Sequence, residues 1–302
     1  MTLIFIVGAT ATGKSDLAIK VAQKLQGEVV NADSMQLYKG MDIGTAKLSK
    51  NERQGIEHHL IDILEVTEDS SAAQYQALAR AKIDELLLKE IPTIVVGGTG
   101  LYVKSILDDL NFPDTDEEVR ARLQRECESI GALALHAKLA KLDPAAAAAI
   151  PAQNSRRVIR ALEVIELTGR PFTANLPRQG SSRYPDAKQF GLVMDREKLS
   201  DLISNRVERM WEKGFVAEVR ELLAKGLREG KTARAALGYS QIIRFLDGEL
   251  SEIEAQEDTK RATRQYSRRQ ETWFSRDNRI TWLKGSTEER LEKILSTTIS
   301  NR

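Results

Sequence analysis

The sequence predicts an α/β protein in which a parallel sheet is flanked by helices and interrupted by an all-helical insertion. Three observations carry that prediction. Residues 2–25 read as strand, glycine-bounded loop and helix, the opening unit of a phosphate-binding α/β fold. Pro92-Thr93-Ile94-Val95-Val96 is a continuous apolar run, the pattern of a strand buried on both faces of a parallel sheet. From Asp114 to about Ala187 strand-like runs disappear and helical patterns follow one another. The expected organisation is a sheet domain begun by 1–113, a helical insertion at 114–187, and completion of the sheet domain with basic helices over 188–302.

In the opening unit Leu3-Ile4-Phe5-Ile6-Val7 meets Gly8-Ala9-Thr10-Ala11-Thr12-Gly13-Lys14-Ser15, and an amphipathic stretch carrying Leu17, Ala18, Val21 and Leu25 follows. The loop fits G-x-x-x-x-G-K-[ST] in the strand-to-helix context that the pattern requires, so the fold expected is P-loop NTPase-like. Glycines let successive N–H groups converge on an anion, and the helix adds its positive end. Lys14 then sits on the terminal phosphates and the Ser15 hydroxyl ligates Mg²⁺. An ordinary glycine turn is the plain alternative. The loop implies a phosphate ligand without saying which.

Bulk properties exclude several classes. At 302 residues, 41% hydrophobic and 29% charged, the chain is an ordinary globular protein with room for a full core. It has no apolar run long enough for a membrane span and no signal-peptide pattern, so a cytoplasmic enzyme is expected. Cys127, the sole cysteine, excludes internal disulfides and cysteine-rich zinc sites. A net charge of +1 argues against a uniformly basic coat, though not against local basic patches.

The second strand, from Glu28, ends in Asp33-Ser34-Met35-Gln36. Ligands collect at the carboxyl ends of strands in open α/β sheets, which makes Asp33 the first catalytic candidate. Helix or turn capping is its plain alternative. His58 and His59 are adjacent on a probable short strand and face opposite sides, so they make no shared metal site. Ser71–Lys89 reads as a helix with Leu78, Ile83, Leu86 and Leu87 on its apolar face. The strand at 92–97 ends Gly-Gly-Thr where a nucleotide hydrolase often places a metal-directing Asp; the glycines and Thr99 suggest close approach to a bulky ligand.

In the insertion, helices are expected over Asp116–Ile130, Ala132–Leu142 and Asn154–Leu167, the last capped at Asn154 or Ser155 and stopped by Gly169. A turn-rich stretch from Leu176 to Ser182 closes it. Arg156, Arg157 and Arg160 form a compact positive site suited to phosphodiesters, with a solvated basic face as the alternative. A long helix from Ser251, with Glu254 completing a capping box, carries Lys260, Arg261, Arg264, Arg268 and Arg269, with Tyr266, Trp273 and Phe274 interleaved. That combination reads as an RNA-facing surface.

Taken together, GATATGKS, DSMQLYKGMDIGTAK, HHLIDI, VGGTGLYVKSIL, SRRVIRALEV, GFVAEVREL, LGYSQ and TRQYSRRQETWF make the chain resemble the bacterial tRNA dimethylallyltransferase family nearly end to end. The resemblance implies transfer of a dimethylallyl group from dimethylallyl diphosphate to the exocyclic N6 amine of the adenine adjacent to the anticodon in tRNA. It implies that Gly8 to Ser15 hold diphosphate rather than ATP, with Mg²⁺ at Ser15. It implies Asp33 as general base, with Ser34, Met35 and Gln36 lining the same contact, and Arg220 as the arginine assisting the departing diphosphate. Thr99, Arg120, the stretch Arg156-Arg157-Val158-Ile159-Arg160, and Leu237-Gly238-Tyr239 resemble positions that touch tRNA. The expected partners are the tRNA anticodon stem-loop and dimethylallyl diphosphate, the expected cofactor is Mg²⁺, and the expected state is a monomer.

The chemistry suits these residue types. An adenine amine is a poor nucleophile and needs a carboxylate to take its proton, while negative charge growing on diphosphate needs cations and loop amides. The target base must leave its stack to react, which calls for a channel entered by diphosphate from one side and adenine from the other. Two other classes stay open at this point: a small-molecule kinase or free-nucleotide prenylating enzyme, and an RNA-binding nucleotide switch. The Asn-Lys-x-Asp signature of guanine-specific switches is missing from the sequence.

Overall fold

The computed structural model describes residues 2–175 and 182–299. It divides into two compact units, Met1–Ile106 with Tyr184–Arg302, and Leu107–Arg183. The expected turn-rich stretch at 176–182 lies, Ser182 apart, outside the described residues.

In the first unit β1 (Leu3–Val7) is buried at every position, leads through the glycine loop into α1 (Lys14–Leu25), and is followed by β2 (Glu28–Asn31) and the two-residue β3 (His58–His59). Next come α2 (Ala72–Leu88), β4 (Thr93–Gly97) and α3 (Gly100–Leu107). The Ser71–Gln74 capping box starts α2, and its buried stripe is Tyr75, Ala79, Ile83 and Leu86. Leu78, expected on that stripe, is exposed.

The second unit is helical: α4 (Glu117–Ile130), α5 (Ala132–Leu142), α6 (Pro144–Ala149) and α7 (Ser155–Thr168). Asp116 caps α4 through the Glu118 and Val119 amides, and Asn154 caps α7, which stops at left-handed Gly169. Leu123, Cys127, Leu135, Leu139, Val158, Ile159 and Leu162 share its core. The unit starts and ends earlier than 114–187 because its two ends pair, Arg183 N–H donating to the Leu107 carbonyl at 2.8 Å and Asp108 bridging Ser182.

Back in the first unit, β5 (Lys188–Leu192) precedes α8 (Arg196–Glu212), α9 (Phe215–Ala224), α10 (Tyr239–Leu246) and α11 (Glu252–Phe274). The last two elements are β6 (Ile280–Leu283) and α12 (Thr287–Ile299). The sheet is wholly parallel in the order β3-β2-β4-β1-β5-β6. One core joins Ile4, Ile6 and Phe190 of the sheet to Leu17 and Val21 of α1 and Ile294 of α12. A second gathers Tyr38 and Met41 with Phe215, Val219, Tyr239 and Ile242. The adjacent histidines bond separately, His58 to the Ile56 carbonyl and His59 to Glu28 at 2.6 Å, as opposite-facing strand residues should. Among the described residues no helix is long and apolar enough to cross a membrane.

Candidate active site

Because β4 separates β1 from β2, the loops leaving β1 and β2 face each other across the carboxyl end of β4. The first is the phosphate loop. Gly13 takes φ 85° immediately before α1, the left-handed conformation that a residue without Cβ adopts freely. Ala11 takes φ 62° at a cost of about 1–2 kcal/mol, so neighbouring contacts must hold it. They do: Thr12 Oγ donates to the Ala9 carbonyl at 2.8 Å, and Lys14 Nζ donates to the same carbonyl at 2.5 Å. Buried Arg290 of α12 donates to the Thr12 carbonyl at 3.3 Å and the Val193 carbonyl at 2.8 Å.

The second loop presents Asp33. Buried Asn31 at the end of β2 accepts the Asp33 N–H at 2.9 Å and donates to the Asp33 and Leu60 carbonyls, each at 2.9 Å. Asp33 Oδ1 accepts the Met35 N–H at 2.9 Å, so the turn-capping role and a cavity-facing role coexist. Ser34 N–H donates to Thr99 Oγ at 3.1 Å.

Lys14 and Asp33 line one cavity of about 570 Å³, together with Gly13, Ser15, Arg206, Arg209 and Lys213. A second cavity, of about 340 Å³, is lined by Ser34, Met35, Leu237, Tyr239, Tyr266 and Arg269. Thr10, Asp33, Thr45, Arg206 and Met210 belong to both walls. Burial and the neighbouring Arg206 charge bring the Lys14 ammonium down to about 7, against the opposing pull of Asp33. Burial likewise lowers Arg206, opposed by Asp33, and its Nε has no hydrogen-bond partner among the described residues. Burial, then the Asp33 charge, pushes the Tyr266 phenol up to about 12, so it stays a neutral donor.

Several expected site residues sit elsewhere. Arg220 is exposed on α9 and lines neither cavity; the arginine that lines both, close enough to act on the charges of Lys14 and Asp33, is Arg206 of α8. Residue-by-residue reading missed Arg206, although the buried stripe Leu199, Ile203, Met210 leaves position 206 at helical spacing on the apolar face, where an arginine is out of place. Glu218 of α9 was missed too. It accepts the amides of Asp42, Ile43 and Gly44 at 2.7–3.3 Å and the Tyr239 hydroxyl at 2.6 Å, fixing the loop that carries Thr45.

Gly97 and Gly98 make room for protein rather than ligand: a Cβ would lie 2.2 Å from the Ala32 backbone at Gly97 and 2.2 Å from Gln270 Nε2 at Gly98. Gln36 bonds the Thr45 carbonyl and lines the first cavity. Gly238 serves as the N-cap of α10, and Tyr239 is fully buried with its hydroxyl on Glu218.

In the helical unit Val158 and Ile159 are core residues, so they offer no side chain to an RNA. Arg120 and Arg160 both bond Glu163, at 3.0 and 2.8 Å, which spends their charge internally and leaves Arg156 and Arg157 exposed. On α11, Lys260 is buried against Glu208 and Glu257, and Phe274 is buried, while Arg268 and Arg269 stay exposed. The basic face is therefore shorter than the sequence suggests.

The family description "IPP transferase" matches residues 36–277. A tRNA dimethylallyltransferase of Streptomyces avermitilis is 57% identical over 290 residues, 96% of this chain and 92% of that protein. One of Thermobifida fusca is 56% identical over 287 residues, covering 93% of this chain and 89% of its own. Among solved structures, the full-length tRNA isopentenylpyrophosphate transferase of Bacillus halodurans is 40% identical, with a TM-score of 0.73 over 99% of this chain and 96% of its own. A eukaryotic dimethylallyltransferase acting on tRNA is 27% identical, with a TM-score of 0.84 over 100% of this chain and 80% of its own. A parallel sheet with a phosphate loop at its centre, and similarity running through both units, agree on one conclusion: the chain belongs to the IPP transferase family and is a transferase.

Proposed function

We propose that the protein transfers the dimethylallyl group of dimethylallyl diphosphate to N6 of the adenine beside the anticodon of tRNA, releasing diphosphate. The observation that carries this reading is the pair of cavities that share Thr10, Asp33 and Arg206. One cavity is lined by phosphate-loop residues, and the other by Met35, Phe215, Tyr239 and Tyr266, a wall suited to a flat base. A donor entering the first and a flipped adenine entering the second would meet at Asp33.

In the reaction the N6 lone pair forms a bond to C1 of the dimethylallyl group while the C1–O bond breaks and its electron pair leaves on diphosphate. Asp33 takes the N6 proton. Lys14, Arg206 and the loop amides stabilise the negative charge as it grows. The donor set also fits a hard divalent cation. Ser15 offers a hydroxyl beside Lys14, and no group of three or more His, Cys, Asp or Glu side chains able to cage a metal occurs among the described residues. Such a sparse set of protein oxygens would suit Mg²⁺, which dedicated all-protein cages seldom hold. Ser15 would hold it, and when bound it neutralises part of the leaving group's charge.

Exposed Arg156 and Arg157 on the helical unit, and Arg268 and Arg269 on α11, are the groups we assign to tRNA phosphates and bases. Arg269 lies 5.7 Å from the centre of the Tyr266 ring, forming an aromatic and guanidinium pair of the kind on which unstacked bases settle. The test is incubation with radiolabelled dimethylallyl diphosphate and Mg²⁺, with unmodified tRNA in one arm and AMP in the other, followed by mass spectrometry of the nucleosides. Prenylated adenosine from the tRNA arm alone is expected. Product from AMP alone, or no prenylated adenosine in either arm, would overturn the reading.

A further inference from the structure

We propose that Gln270 is a positioning residue for this reaction, setting the pose of the phosphate loop through Thr10; the proposal rests on the prenyl-transfer reading above. Gln270 lies on α11, far along the chain from the loop, and is 5% exposed. Its Oε1 accepts the Thr10 N–H at 2.8 Å and its Nε2 donates to the Gly98 carbonyl at 2.8 Å. One carboxamide thus joins the loop after β1 to the loop after β4. The absence of a side chain at residue 98 has the same cause, since any Cβ there would stand 2.2 Å from Gln270 Nε2.

The joint matters because of what Thr10 does. Thr10 lines both cavities, so a shift of the loop at this residue reaches the place where donor and acceptor would meet. Its N–H, being committed to Gln270, is withheld from the anion, and the amides after it are left for diphosphate. Only a carboxamide satisfies both partners. A carboxylate would accept from Thr10 but set an oxygen against the Gly98 carbonyl, and an alkyl chain would strand a buried donor and a buried acceptor. A loop freed at Thr10 can shift, and about 1 Å of misplacement costs on the order of 10² in rate. Gln270 also hydrogen-bonds the Tyr266 phenol of the second cavity, so it acts on the reacting atoms through the placement of the loop and of that wall.

The test compares Gln270→Leu and Gln270→Glu with the unmodified protein, assayed with tRNA and dimethylallyl diphosphate. Gln270→Glu keeps an acceptor for the Thr10 N–H and loses the donor to Gly98, whereas Gln270→Leu loses both. Gln270→Leu is expected to lower kcat roughly 10- to 100-fold with KM for tRNA within about threefold, and Gln270→Glu to lower kcat less, because the bond to the loop survives. An equal loss of kcat in the two variants, or a loss in KM alone, would assign Gln270 to structural support and overturn the proposal. So would a kcat of Gln270→Leu within about threefold of the unmodified protein. Should Gln270→Leu fail to fold, Gly98→Ala displaces the same carboxamide from the other side, and the same loss of kcat with KM kept is expected of it. An unmodified protein that makes no prenylated tRNA would overturn the prenyl-transfer reading itself, an outcome distinct from an active enzyme indifferent to Gln270.

Discussion

Replacing Asp33 with asparagine separates the two jobs this residue holds. The Oδ1 atom accepts the Met35 N–H at 2.9 Å, and Asn31 fixes both backbone groups of residue 33, so a carboxamide there keeps every local hydrogen bond while losing the ability to take a proton. A positioned general base contributes about 10²–10⁴ in rate, equivalent to about 3–5 kcal/mol of barrier. Asp33→Asn should therefore lower the single-turnover rate by that factor with tRNA affinity and thermal midpoint close to those of the unmodified protein. A second effect comes from electrostatics. The Asp33 charge raises the Lys14 pKa against burial and Arg206, so removing it leaves Lys14 below its value of about 7. At pH 6 Lys14 is mostly charged in the unmodified protein, whereas at pH 8 the variant holds less ammonium than the unmodified protein does. The donor KM of the variant should accordingly rise more at pH 8 than at pH 6. The assay is timed mass spectrometry of tRNA nucleosides with enzyme in excess. Prenylated adenosine formed at the unmodified rate across pH 6–8 would refute the base assignment.

Three further outcomes follow from the same geometry. Near pH 7 Lys14 is about half protonated, and bound diphosphate favours the ammonium, so binding should take up on the order of half a proton, falling towards none at pH 5; calorimetry in buffers of different ionisation enthalpy reads this directly. Arg206→Leu should cost about 10²–10³ in kcat, whereas Arg220→Ala, on an exposed face away from both cavities, should stay within about twofold of the unmodified rate, and the reverse pattern would restore Arg220 to the site. In the helical unit burial opposes ionisation of Glu163, but Arg160, Arg120 and the Asp116 N–H outweigh it and hold its carboxyl below the usual range. Because that folded pKa is depressed, its contribution is present above the unfolded carboxyl pKa and lost as pH falls through the folded one. Glu163→Gln should lower stability by about 2–3 kcal/mol at pH 7 and flatten its decline below about pH 4.5, as read by urea midpoints.

What the sequence made legible was local. Strand, loop and helix over residues 3–25 follow from apolar runs, two glycines and a lysine, all within reach of one another along the chain. Ser251 with Glu254, and Asn154 with Gly169, announce helix limits because caps bond residues only two or three positions away. The placement of Asp33 at the cavity was legible because the end of a parallel strand is a place rather than a contact. Arg206 was not, since its meaning depends on α8 lying across the phosphate loop. The arginines at 120, 156, 157 and 160 look equivalent in sequence, and Glu163 separates them. It hides in the run Ala161-Leu162-Glu163-Val164, where it is fully buried and bonds two of the four. No periodicity reveals which cations a buried acid will claim.

The Gly-Gly-Thr end of β4 shows how one substitution of type changes the chemistry open to a fold. An acidic side chain at this point, in a nucleotide hydrolase, directs a metal and a water toward the terminal phosphate. Here the space is filled from across the molecule by the neutral carboxamide of Gln270, which bonds the Gly98 carbonyl and the Thr10 amide instead. A second carboxylate beside Asp33 would oppose the charge of a diphosphate donor and offer a competing proton acceptor. With an amide there, Asp33 is, among the described residues, the one acidic side chain common to both cavity walls, and Arg206 is the cation common to them. In the proposed reaction Asp33 would be the proton acceptor and Arg206 the leaving-group cation that alkylation of an amine requires. On that reading the loop that elsewhere supports hydrolysis would serve carbon–nitrogen bond formation, and the carboxamide that stands in the acid's place comes from α11.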